Sequence, residues 1–71
     1  MAEEVRAEMV STVLKVSVSE GDTVKDGETL VILESMKMEI PIIAEASGTV
    51  RRVCVAKNDS VQAGDLIVVI D

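Results

Sequence analysis

Thr12-Val13-Leu14-Lys15-Val16-Ser17-Val18 recurs as Thr49-Val50-Arg51-Arg52-Val53-Cys54-Val55, with the threonine and all three valines in place. A shift of 37 residues, the interval from Ala7 to Ala44, carries the first stretch onto the second. The same shift lays Ala7-Glu8 on Ala44-Glu45, Asp22 on Asp59, Val24 on Val61, Gly27 on Gly64 and Leu30/Ile32 on Ile67/Val69. A unit of this length built from short strands cannot bury its own apolar face. The two copies must therefore pack on each other about a pseudo-twofold axis, each giving strands to both sheets.

Within each copy the local pattern is that of strands. Val16/Val18, Leu30/Ile32, Ile40/Ile42, Val53/Val55 and Ile67/Val69 alternate, and no stretch keeps an i, i+3, i+4, i+7 apolar pattern for three turns. Val13 and Val16 stand an odd number apart, as do Val50 and Val53, so a bulge or sharp twist is expected at Leu14-Lys15 and at Arg51-Arg52. Glu20-Gly21-Asp22, Asp26-Gly27-Glu28, Ser47-Gly48, Lys57-Asn58-Asp59 and Ala63-Gly64-Asp65 are read as turns. Asn58 replaces Gly21 at one of them, which is tolerable because asparagine enters the left-handed region most readily after glycine. Ser11 in place of Gly48 has no such rationale. The reading is an all-β domain, a small sandwich or flattened barrel, spanning residues 1–71 with repeats over about 5–34 and 42–71.

Composition agrees and excludes much else. Of 34 apolar residues, 13 are Val and 6 are Ile, side chains suited to a pleated surface. The chain has no His, Phe, Tyr or Trp and a single cysteine, Cys54. Without imidazole there is no Ser–His or Cys–His nucleophile, no histidine base and no histidine-bound metal, so no catalytic set can be assembled. Without aromatic rings, and with a formal charge of −6, single-stranded nucleic acid finds no stacking platform and a phosphate backbone is repelled. One cysteine cannot form an internal disulfide, and Cys54 between two valines reads as an incidental strand residue. The start, Met1-Ala2-Glu3-Glu4-Val5-Arg6, is acidic and unlike a signal peptide, and the longest apolar run is Leu66 to Ile70. A soluble cytoplasmic protein is expected. Met1 followed by a complete two-repeat unit reads as a whole protein, with a piece of a larger chain as the alternative.

The connector between the copies, Glu34-Ser35-Met36-Lys37-Met38-Glu39-Ile40-Pro41, is not repeated. Twofold packing places it opposite the paired chain ends, as a hairpin tip with Lys37 in solvent. Two methionines bracket that lysine where Asn-Gly or Asp-Gly would be expected, and a turn that breaks the local rule is a functional candidate.

Glu34-Ser35-Met36-Lys37-Met38-Glu39 resembles the biotinylation motif of biotin carboxyl carrier domains. The frame is similar as well: Glu20-Gly21-Asp22-Thr23-Val24, Gly27 and Leu30 before it, Ala44 and Gly48-Thr49-Val50 after it. The likeness covers roughly residues 5 to 71 and is nearest to the small free-standing biotin/lipoyl attachment proteins of bacteria. It implies two four-stranded antiparallel sheets with the modified lysine at a hairpin tip, and biotin attached covalently to Lys37 by a biotin ligase. It further implies a monomeric, non-catalytic swinging-arm carrier that takes carboxylated biotin between a biotin carboxylase and a carboxyltransferase. Met36 and Met38 become flanking recognition residues, adaptable enough to meet several partners. Glu34, Ser35 and Glu39 become weaker contacts for ligase or partner, the two glutamates reading otherwise as solvated charges. Ser35 stands where alanine is commonest. Lipoate on the same lysine is the alternative cofactor, although lipoyl domains usually place aspartate and alanine beside it. An unmodified β interaction module, without metal or membrane, is the alternative from a different class.

Overall fold

The computed structural model describes residues 3–71. Eight strands follow in order: β1 (Glu3–Arg6), β2 (Ser11–Val16), β3 (Thr23–Val24), β4 (Thr29–Ser35), β5 (Met38–Ile43), β6 (Gly48–Val53), β7 (Ser60–Val61) and β8 (Leu66–Ile70). They form two four-stranded sheets, β1-β8-β6-β3 and β5-β4-β2-β7, with every pairing antiparallel. The 37-residue shift turns β1 into β5, β2 into β6, β3 into β7 and β4 into β8, so it turns one sheet order into the other. Each copy supplies two strands to each sheet, and the expected all-β architecture with internal twofold symmetry is present.

The symmetry reaches individual hydrogen bonds. The Ala7 N–H donates to the Asp65 carbonyl and the Ala44 N–H to that of Glu28; Val13 donates to Asp59 and Val50 to Asp22. At the matching turns the Asp22 carboxylate accepts from the Ser19 N–H and the Asp59 carboxylate from the Ala56 N–H, both at 2.8 Å. These side chains close the turn and satisfy backbone donors that the sheets leave free. Gly21 and Asn58, at φ 93° and 76°, hold the same left-handed position.

The bulges are symmetric too. Register shifts between Val13 and Lys15 and between Val50 and Arg52 place Val13 and Val16, and Val50 and Val53, toward the interior, as their spacing predicts. A second pair was not anticipated. The pairing skips Leu30 in β4 and Ile67 in β8, so the interior takes Leu30, Val31 and Leu33 from one strand and Ile67, Val68 and Ile70 from the other. The simple alternations Leu30/Ile32 and Ile67/Val69 are thus corrected: Ile32 and Val69 are only half-buried, because one extra residue moves the chain to the other face.

Ser47-Gly48 is not a turn either. The chain bends at Glu45-Ala46, and Gly48 already belongs to β6, opposite Val24. Gly48 is demanded by close approach: a β-carbon there would meet the Asp71 carbonyl oxygen and lie 2.7 Å from the Ile70 side chain. Ser11, its counterpart, is buried and donates its hydroxyl to the Met9 carbonyl at 3.0 Å, which accounts for a polar side chain at that place.

Gly27 and Gly64 hold φ of 88° and 90° with open space where a β-carbon would project. Gly27→Ala and Gly64→Ala should each lower stability by about 1 kcal/mol from backbone strain alone, and by matching amounts. Gly48→Ala should cost more than either, since the backbone of residue 71 must move. Urea denaturation of the three variants checks the order.

Candidate functional site

β4 and β5 form a hairpin whose last pair is Ser35 and Met38, leaving Met36 and Lys37 as a two-residue loop. Such a loop matches the right-handed twist of its strands when both residues take positive φ, the type I′ turn, and Met36 and Lys37 do so at 54° and 64°. Asn-Gly adopts this geometry freely. A methionine and a lysine adopt it at a cost of about 1 kcal/mol or more each, because the β-carbon crowds the following carbonyl. No local preference of these residues selects the turn. It is imposed by the long pairing of β4 with β5, which runs from Thr29↔Ile43 to Ser35↔Met38.

The six residues singled out in the sequence all lie on this tip. Met36 is 91% exposed and Met38 67% exposed, values unusual for methionine. Lys37 is exposed, and among the described residues its ammonium has no ion-pair or hydrogen-bond partner. Ser35 is half-buried. Glu34 and Glu39 are exposed and face each other directly across the hairpin, a like-charge cross-strand pair that the linear sequence does not display. Two surface grooves lie elsewhere. One runs between β1 and β5 past Glu3, Val5, Ile40 and Ile42, the other along Arg51, Arg52 and Val69. Neither groove includes a residue of the tip.

The molecule measures 32 × 18 × 17 Å, and the opposite end from the hairpin carries Glu3 paired with Ile70. A second loop shares the Lys37 end. Thr12 pairs with Glu34, so the loop before β2, which bends at residues 8–10, lies at the same end of the barrel as the turn. Its Met9 and Val10 are 47% and 69% exposed. Nothing in their local sequence marks them, and only the register brings them there. Cys54 is exposed, outside this end, with Val53 and Val55 on either side half-buried.

The family described as "Biotin-requiring enzyme", the biotin/lipoyl domain, matches residues 3–70. The chain belongs to this family. A homolog of the biotinylated protein TB7.3 from Mycolicibacterium smegmatis is 66% identical over 44 residues, a stretch covering 62% of this chain and 62% of that protein. The biotin/lipoyl attachment protein of Bacillus subtilis is 49% identical over 43 residues, 61% of this chain and 59% of its own length. Among solved structures, the urea carboxylase of Kluyveromyces lactis matches with a TM-score of 0.92 at 35% identity, covering 100% of this chain and 6% of that one. The 2-oxoglutarate dehydrogenase lipoyl domain of Azotobacter vinelandii, at 23% identity and a TM-score of 0.79, shares the fold. Membership in the biotin/lipoyl family agrees with the hairpin geometry, in which the lysine stands where the two copies join.

Two stability measurements test the geometry of the tip. Met36→Asn should raise stability by about 1 kcal/mol, since asparagine relieves the left-handed strain. Glu39→Gln should raise the thermal midpoint at low ionic strength, and the gain should shrink in 1 M salt, about which a Debye length falls to ~3 Å.

Proposed function

We propose that this chain is a biotin carrier modified on Lys37, a non-catalytic component of a biotin-dependent carboxylase. The observation that carries the reading is the Lys37 side chain, solvent-exposed and without a partner among the described residues, at a strained two-residue turn on the end of the molecule. The Met-Lys-Met setting and the biotinylated relatives support biotin as the group. The carboxylases that contain this domain as a small part of a longer chain support carboxylase partners.

A protonated ammonium has no free electron pair, so an acceptor lysine must lose a proton as it reacts. A biotin ligase supplies the base and the activated acyl group. The Lys37 nitrogen attacks the acyl carbon of biotinyl adenylate, the new N–C bond displaces AMP, and the amine's proton passes to the ligase. Attached biotin supplies a site that takes up a carboxyl unit at one enzyme and gives it up at another. The chain's own contribution is reach and presentation. The lysine stem and the exposed turn keep the tethered group at high effective concentration for both partners. Met36 and Met38 offer polarizable contact area to each, and Glu34, Ser35 and Glu39 give the ligase or partner its weaker polar contacts. The carrier acts as a monomer in the cytoplasm.

Coexpression with a biotin ligase should add one biotinyl group by intact mass, and Lys37→Arg should add none. A wild-type chain that stays unmodified would overturn the proposal. Offering the same apo protein to biotin and lipoate ligases together should yield the biotinyl form. Lipoylation in its place would move the chain to the alternative cofactor. An unmodified interaction module would instead tolerate Lys37→Arg in the cell.

A further inference from the structure

The internal symmetry provides a control that most proteins lack: every loop within one copy has a counterpart in the other, at the opposite end of the barrel. The loop entering β2 carries Met9-Val10, and the loop entering β6 carries Ala46-Ser47 at the equivalent positions. The two loops are anchored alike, through Ala7 to Asp65 and through Ala44 to Glu28. Fold alone therefore asks for nothing apolar at Met9 and Val10, since the same supporting bonds hold a loop with small and polar residues. The exposed apolar pair stands in the loop at the Lys37 end; the far end exposes the single large apolar Ile43 ahead of its loop and none within it. The Ser11 hydroxyl, donated to the Met9 carbonyl, ties this loop down where the other copy has a glycine. Met9 and Val10 are exposed at the same end of the barrel as the exposed Met36 and Met38 that flank the lysine, and exposed apolar side chains gathered at one end of a small protein mark contact sites.

We infer that the Met9-Val10 loop is a second contact for the enzyme that acylates Lys37. This rests on the biotin-acceptor reading above and names a part of the acceptor face that the Met-Lys-Met motif does not include. The enzyme must seat the turn to reach the Lys37 nitrogen, and the loop lies at the same end of the barrel, within the reach of one docked protein surface. Glu8, beside the loop, and Glu34 and Glu39, beside the lysine, are exposed acids at the margin of the apolar surface. The complementary surface on the ligase is apolar at its centre and basic at its edge.

The test gives the Lys37 end the residues of the other end. Initial rates of biotin transfer by a purified ligase, with ATP and biotin, are measured against increasing apo protein for the wild type and for the double variant Met9→Ala/Val10→Ser. The expected result is a fall in kcat/KM of about tenfold, expressed as a higher KM with kcat nearly unchanged. The reciprocal change at the far end, Ala46→Met/Ser47→Val, should leave both constants as they are. Circular dichroism shows whether the double variant is folded; if it is not, Val10→Thr alone replaces it, with a smaller rise in KM expected. An unchanged kcat/KM, or a fall carried by kcat alone, overturns the inference while leaving biotinylation of Lys37 intact. A wild-type chain that is never modified brings down both.

Discussion

The structure depends on the fact that neither half of the chain can bury its apolar face alone. Each copy gives β-strands to both sheets, so the interior is a single shared layer: Val13, Val24, Leu30, Val31 and Leu33 from one copy, Val50, Val61, Ile67, Val68 and Ile70 from the other. The sheets of such a pair cannot separate without splitting both copies. This interleaving fixes the registers of the hairpins, and from register come the turns, the bulges and the placement of Lys37. With hydrophobic burial worth roughly 25 cal/mol per Å², the shared layer outweighs the strain of two left-handed residues at one turn. A solitary hairpin with Met-Lys at its loop would relax instead.

Twofold symmetry also explains why the tip is available for a purpose of its own. A link between copies occurs once, and its symmetry mate is the gap between the chain ends. The connector therefore has no duplicate whose packing it must match. Its exposed methionines and facing glutamates would be poor choices for a purely structural turn, on grounds of both local geometry and like-charge repulsion. Under the proposed function they form a surface that another protein covers, bringing apolar and cationic partners to it.

How far the sequence could be read follows from which interactions are local. The repeat was legible because both copies obey the same packing rules, and the bulges at Leu14 and Arg51 were legible because they separate apolar residues by an odd number across a polar one, Lys15 or Arg52. The bulges at Leu30 and Ile67 were hidden. Leu30-Val31-Ile32-Leu33 and Leu66-Ile67-Val68-Val69-Ile70 are apolar throughout, so no pattern records the change of face. Gly48 was misread as a turn because glycine serves both tight turns and close approaches. Only the nearness of Asp71, at the far end of the chain, tells them apart. Asn58 was read correctly because its requirement is a property of one residue's φ.

The tip divides along the same line. Met36, Lys37 and Met38 are adjacent in sequence, so their grouping needs no fold, and a motif could carry it. The facing of Glu34 with Glu39 needs the hairpin register, and the approach of Met9 and Val10 needs the register of a second pair of strands as well. A protein surface that reads a folded carrier can use all three kinds of contact, whereas one that reads an extended peptide has only the first. Where recognition draws on the later kinds, it holds the lysine of an intact barrel apart from the same residues in an unfolded chain, and cross-strand register becomes a determinant of specificity as well as of stability.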